Sequence, residues 1–270
     1  MNLDKMTVNI KPLPAYQAMD LGLSMARHWY YDLWRLWWMS HVPVLCALIA
    51  VMAGLNYIFY DDDELWSLLS VVLFWWVKPI FERELVIYLG HRLFDDDFGM
   101  DDVKRVAMPS VMFLLIRRFG LRRMMVMPVH LLERQSGKFA KQRVTVLSRR
   151  QDSAIGWHAM AVFVVEMVLY AVSVIVLTMM FGLGSSFGEG EQTQLPKLLV
   201  IALDVMVYVG VVAMLTPFYV ASGFAMYLCK RSLLEGWDIE IVFRKLLARH
   251  HAINNNHVST NTSNLRQDEP

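Results

Sequence analysis

The sequence predicts an all-α integral membrane helix bundle, with four transmembrane helices plus interfacial amphipathic helices. Three observations carry that expectation. Of 270 residues, 56% are hydrophobic and only 19% charged, which is more apolar and less charged than a soluble domain of this length. The apolar residues gather in long runs; the clearest, 157–181, has Glu166 as its only formal charge, and about 20 apolar residues are needed to cross a hydrocarbon core of about 30 Å. Nine Trp, ten Tyr and fourteen Phe suit a chain with much membrane–water interface.

Taken in order, the polar leader closes at Pro12 and Pro14. From Ala15 to about Leu36 the pattern is helical and amphipathic: Leu21, Met25, Trp29 and Leu33 share a face, interrupted elsewhere by Asp20, Arg27 and Asp32. This reads as a helix lying in the membrane interface. The first span covers about 37–60, with no Asp, Glu, Lys or Arg inside it and Pro43 near its cytoplasmic end. An acidic turn at 61–64 follows, then a second span at about 65–81. Its uninterrupted apolar part runs only from Leu65 to Val77, roughly 20 Å of helix. Either Lys78 snorkels to the interface or the helix breaks at Pro79 and resumes over 84–93. Residues 95–152 form a basic insert with amphipathic stretches. The third span is 157–181, a Gly/Ser-rich loop follows, and the fourth covers about 198–229, continuing past Pro217. Residues 1–252 therefore make one integral membrane domain, and 253–270, rich in Asn, Ser and Thr, a disordered tail.

Orientation follows from Lys and Arg. The leader carries Lys5, Lys11, Arg27 and Arg35, and the insert holds twelve basic residues from Lys104 to Arg150. The C-terminal segment adds Lys230, Arg231, Arg244, Lys245 and Arg249, whereas the two short loops are acidic, with Lys197 at their border. The positive-inside rule then places both termini and the insert in the cytoplasm. The first apolar run is too long for a signal h-region of about 7–15 residues, so uncleaved insertion is expected. Net charge is only +1 and no nucleic-acid module is recognisable, so no nucleic-acid partner is expected. Cys46 and Cys229 lie in apolar runs and read as small hydrophobes.

Three constellations stand out. Glu166 and Tyr170 in the third span are mirrored by Asp204 and Tyr208 in the fourth. A carboxylate inside a membrane is costly and needs a partner. In antiparallel spans Tyr208 comes level with Glu166 and Tyr170 with Asp204, allowing crossed hydrogen bonds; alternatively each Tyr bonds the carboxylate one turn before it. The group is either a polar clasp or a proton or cation path. Secondly, Lys78, Arg83, Trp75 and Trp76 form a possible headgroup-binding set, with Glu82 placed to pair with Lys78 at i,i+4. Thirdly, the basic insert suits an anionic leaflet or a docking partner. No Ser or Cys has a base at motif spacing, and His250-His251 lacks companions for a metal. No catalytic residue, cofactor or metal ligand is expected.

The C-terminal string from Pro217-Phe218-Tyr219 through Tyr227, Arg231, Leu234-Glu235-Gly236-Trp237-Asp238-Ile239-Glu240 to Phe243-Arg244 resembles the ending of a group of uncharacterised bacterial multi-pass inner-membrane proteins. Trp75-Trp76-Val77-Lys78-Pro79 and Met127-Pro128-Val129 are similar to the same group, and there is a looser likeness to the membrane domain of some glycerophosphodiester phosphodiesterases. The resemblance implies a bacterial inner (plasma) membrane and supplies no catalytic residues. Arg231, Glu235, Asp238 and Glu240 are suited to a charge network at the inner interface. The expected function is a non-enzymatic scaffold or accessory subunit whose insert engages lipids, a protein partner or a second copy. The alternatives are a small proton- or ion-coupled transporter and a lipid-handling membrane enzyme.

Overall fold

The computed structural model describes residues 13–58, 63–93, 99, 102–103, 123–149, 152–181 and 197–236. Within them the chain is helical, with no strand. Seven helices follow in order: α1 Ala15–His28, α2 Tyr30–Ile58, α3 Asp63–Arg92, α4 Arg123–Leu131, α5 Gly137–Ser148, α6 Asp152–Phe181 and α7 Lys197–Glu235. Three are long and apolar enough to cross a membrane, over Tyr30–Val51, Ser153–Met180 and Ala202–Glu235. The segment expected as a second span lies in α3, which is not one of the three.

α7 is the hub of the bundle and touches all six other helices. Residues 219–229 of α7 are all buried. The opposite extreme is α6, whose Val164, Val168, Val172 and Ile175 are exposed; an apolar helix uncovered by protein is what lipid solvates.

α1 departs from expectation. Its apolar face does not lie open toward an interface but packs on the C-terminal half of α7. Ala18, Gly22 and Ala26 form a buried stripe of small residues, and a Cβ on Gly22 would sit 2.3 Å from Ser222 Cα. Only glycine permits that approach of two helix backbones. The outer face, with Gln17, Asp20, Ser24 and Arg27, is polar, which suits water more than acyl chains. Trp29 separates α1 from α2, yet its carbonyl accepts from Leu33 N at 3.0 Å, so the two helices join without losing that hydrogen bond.

α3 runs through Pro79 without a break. A proline removes one backbone donor and strains one turn, and here packing against α2, α4 and α7 holds the helix together. α7 likewise continues past Pro217 to Glu235, beyond the expected end at 229. α4 is inserted between α3 and α7, burying Met124, Met127 and Val129, so part of the insert belongs to the bundle core. The tail at 253–270, the loop at 182–194 and the expected site residues Asp238 and Glu240 lie outside the described residues.

Candidate functional site

Polar side chains from three of the long helices meet in the middle of the bundle. Lys78 Nζ on α3 donates to Glu166 Oε2 on α6 at 2.5 Å, and Tyr208 on α7 donates to Glu166 Oε1 at 2.7 Å. Tyr170 OH donates to Asp204 Oδ1 at 2.7 Å. The tyrosines therefore bond across the α6–α7 interface, not within their own helices. Their rings meet edge to face at 5.4 Å, linking the two hydrogen bonds into one joint.

Burial makes this joint consequential. Lys78 is 4% and Glu166 2% exposed; neither charge has water to fall back on, so each depends on the other. Snorkelling of Lys78 and pairing with Glu82 are both overturned: Lys78 points inward because Glu166 on the neighbouring helix offers a closer, buried counter-charge. Nor does Lys78 join a headgroup set. Trp75 packs on Phe163 of α6 with ring centroids 6.5 Å apart, Trp76 is 38% exposed, and Arg83 is half-buried one turn further along α3.

α2 contributes His41, fully buried. Its ring lies between Trp37, at 3.4 Å between centroids, and Phe81, at 3.6 Å. In the tautomer that satisfies the contact, Nδ1–H donates to the Trp37 carbonyl at 2.6 Å. Nε2 has no hydrogen-bond partner among the described residues, and the ring is near enough to Lys78 for the two to interact electrostatically.

A second buried pair lies one turn along α3. Glu82 is fully buried and receives Arg123 of α4 at 2.7 Å. The guanidinium also lies over the Tyr219 ring, 5.8 Å from its centroid. Burial opposes the Arg123 charge, but Glu82 and Tyr219 outweigh it and hold its pKa above the ordinary value. Lys78, Glu166, Glu82 and Arg123 thus cancel pairwise.

A third network ties the insert to the end of α7. Arg143 on α5 donates to Glu133 at 2.9 Å and also reaches Glu235. Tyr227 donates to Glu133 at 2.8 Å, and Arg231 pairs with Glu235 at 2.9 Å. Arg143 is held above its ordinary pKa because Glu133 and Glu235 outweigh its partial burial. Arg231 and Glu235 were expected in such a network; Glu133, Arg143 and Tyr227 were not.

One pair was invisible to motif spacing. Ser222 Oγ lies 2.7 Å from His158 Nε2, a hydroxyl–imidazole contact across 64 residues. It does not make a nucleophile: the hydroxyl also bonds the Phe218 and Tyr219 carbonyls, and Ser222 is fully buried. Among the described residues no cluster of three or more His, Cys, Asp or Glu could hold a metal ion.

Outside the bundle, α5 presents a different surface. Lys138, Lys141 and Arg149 are exposed, as is Arg134 just before the helix. Phe139 is 75% and Val146 48% exposed, while Ala140 and Leu147 are buried against the bundle. An open depression of about 570 Å³ runs beside them, lined in part by Arg134, Ser136, Phe139, Gln142 and Val146.

No protein-family model matches the chain. No curated protein does so either, nor does any solved structure.

Proposed function

We propose that the chain is a polytopic protein of a bacterial inner membrane, with four spans and both termini in the cytoplasm. In this reading α3 is the remaining span. Its 30 residues measure about 45 Å, and its two buried charges do not cross bare, since Lys78 is neutralised by Glu166 and Glu82 by Arg123. The protein acts as a non-enzymatic scaffold or accessory subunit whose basic insert engages lipids or a partner. The supporting observation is the division of charge: Lys78, Glu166, Glu82 and Arg123 inside the bundle pair with one another, whereas Lys138, Lys141 and Arg149, in and just after α5, are exposed. The test is purification of the full chain in mild detergent, comparing wild type with Lys138→Gln/Lys141→Gln/Arg149→Gln. Loss of co-purified lipid or protein from the variant is expected; an unchanged complement would count against the scaffold.

A second reading, proton- or ion-coupled transport, draws on the Lys78–Glu166 pair beside the unpartnered His41 Nε2. Proteoliposomes loaded with a pH-sensitive dye test it. Flux that Glu166→Gln abolishes would favour transport, and flux equal to empty vesicles would remove it.

A further inference from the structure

We infer that α5 lies in the plane of the membrane's anionic leaflet, with Phe139 and Val146 entering the lipid and Arg134, Lys138, Lys141 and Arg149 meeting lipid phosphates. This rests on the reading of the insert as the contact surface, and it names the partner and the residues.

Placement comes first. Three residues separate Ser148 from Asp152, where α6 begins; fully extended, that linker spans about 14 Å. The C-terminal end of α5 is therefore tethered at the mouth of one candidate span, Ser153–Met180. From the other side Arg143 binds Glu235, the last residue of another candidate span, Ala202–Glu235. A helix fixed between the ends of two spans has little room to leave the interface.

The faces of α5 fit that position. Ala140 and Leu147, seven residues apart and so two turns along one face, are buried against the bundle. Phe139 and Val146 repeat the same spacing one residue earlier and stay exposed. Lys138, Lys141 and Arg149 project on the side away from the buried face. Residues 137–149 contain no Asp or Glu, so the exposed face carries positive charge with no acid of its own. A buried flank, an apolar edge and a cationic edge are what an in-plane interfacial helix presents to protein, acyl chains and headgroups respectively. An exposed Phe amid cations favours a bilayer surface, because lipid satisfies both with one partner.

The experiment uses the full chain with Cys46→Ser and Cys229→Ala and a single Phe139→Cys or Val146→Cys bearing a polarity-sensitive fluorophore. Nanodiscs of phosphatidylcholine alone, or mixed with phosphatidylglycerol, supply the probe surface. In phosphatidylglycerol discs the fluorophore should be shielded from aqueous iodide and quenched by nitroxide-bearing lipid. Lys138→Gln, Lys141→Gln and Arg149→Gln should each lower the docked-to-undocked ratio about fivefold, the effect of removing one near-surface cation. A fluorophore at 139 and 146 open to iodide in both disc types overturns the assignment, and shielding that appears only on adding a protein does the same. Docking that survives while co-purification is indifferent to the three substitutions would remove the scaffold and leave the lipid contact standing.

Discussion

Removing one member of the Lys78–Glu166 pair should cost far more than removing both. At 2.5 Å and an effective dielectric of about 20, the Coulomb attraction is roughly 7 kcal/mol. Desolvating the two ions opposes it by several kcal/mol each, so the net worth of the pair is small. The two single substitutions behave otherwise. Glu166→Gln keeps an acceptor for Tyr208 but leaves the Lys78 ammonium bare; Lys78→Met leaves the carboxylate with Tyr208 as its remaining hydrogen-bond donor at this joint. Stranding a buried charge costs about 3–5 kcal/mol. Lys78→Met/Glu166→Gln restores neutrality and retains the Tyr208 bond, so it should lie within about 1–2 kcal/mol of wild type. The assay is equilibrium unfolding in mixed micelles, read as a double-mutant cycle. Additive losses, or single variants within about 0.5 kcal/mol of wild type, would refute a buried pair that neutralises itself.

Other consequences follow from particular contacts. Gly22→Ala should destabilise by about 1–3 kcal/mol, because its Cβ meets the Ser222 backbone, whereas Gly54→Ala, with nothing within 4 Å, should be neutral or stabilising by up to about 1 kcal/mol; thermal unfolding in detergent distinguishes them. Arg123→Met leaves Glu82 bare and should cost about 3–5 kcal/mol, while Arg143→Gln, in a partly exposed network, should cost under about 1 kcal/mol. Tyr88, buried, donates to Asp32 at 3.0 Å; Tyr88→Phe should cost about 1–2 kcal/mol in the same thermal unfolding, and an unchanged midpoint would contradict the assignment.

What the sequence made legible was set by the length of apolar runs and by local spacing. The apolar run expected as a span at 157–181 lies within the helix Asp152–Phe181, where Glu166 is the one Asp, Glu, Lys or Arg between 153 and 181. Counting 1.5 Å per residue along antiparallel helices made the crossed Glu166–Tyr208 and Tyr170–Asp204 bonds one of two arrangements, and the structure selects it. Lys78 and Glu166 escaped because their 88-residue separation carries no spacing signal. One clue existed: a span too short on apolar residues alone and an acid lacking a base. Each explains the other once the two are allowed to pair. The amphipathic face of α1 looks the same whether lipid or α7 covers it, although the Ala18, Gly22, Ala26 stripe marks a close helix crossing. The Ser222–His158 contact lay beyond spacing altogether.

The proposed topology requires an insert that stays in the cytosol beside four spans. The direct measurement places a single cysteine at Lys141→Cys, with Cys46→Ser and Cys229→Ala, and treats spheroplasts with a membrane-impermeant maleimide. No labelling of intact spheroplasts and full labelling after permeabilisation are expected. Labelling of intact spheroplasts would put α5 on the outer face and contradict the topology.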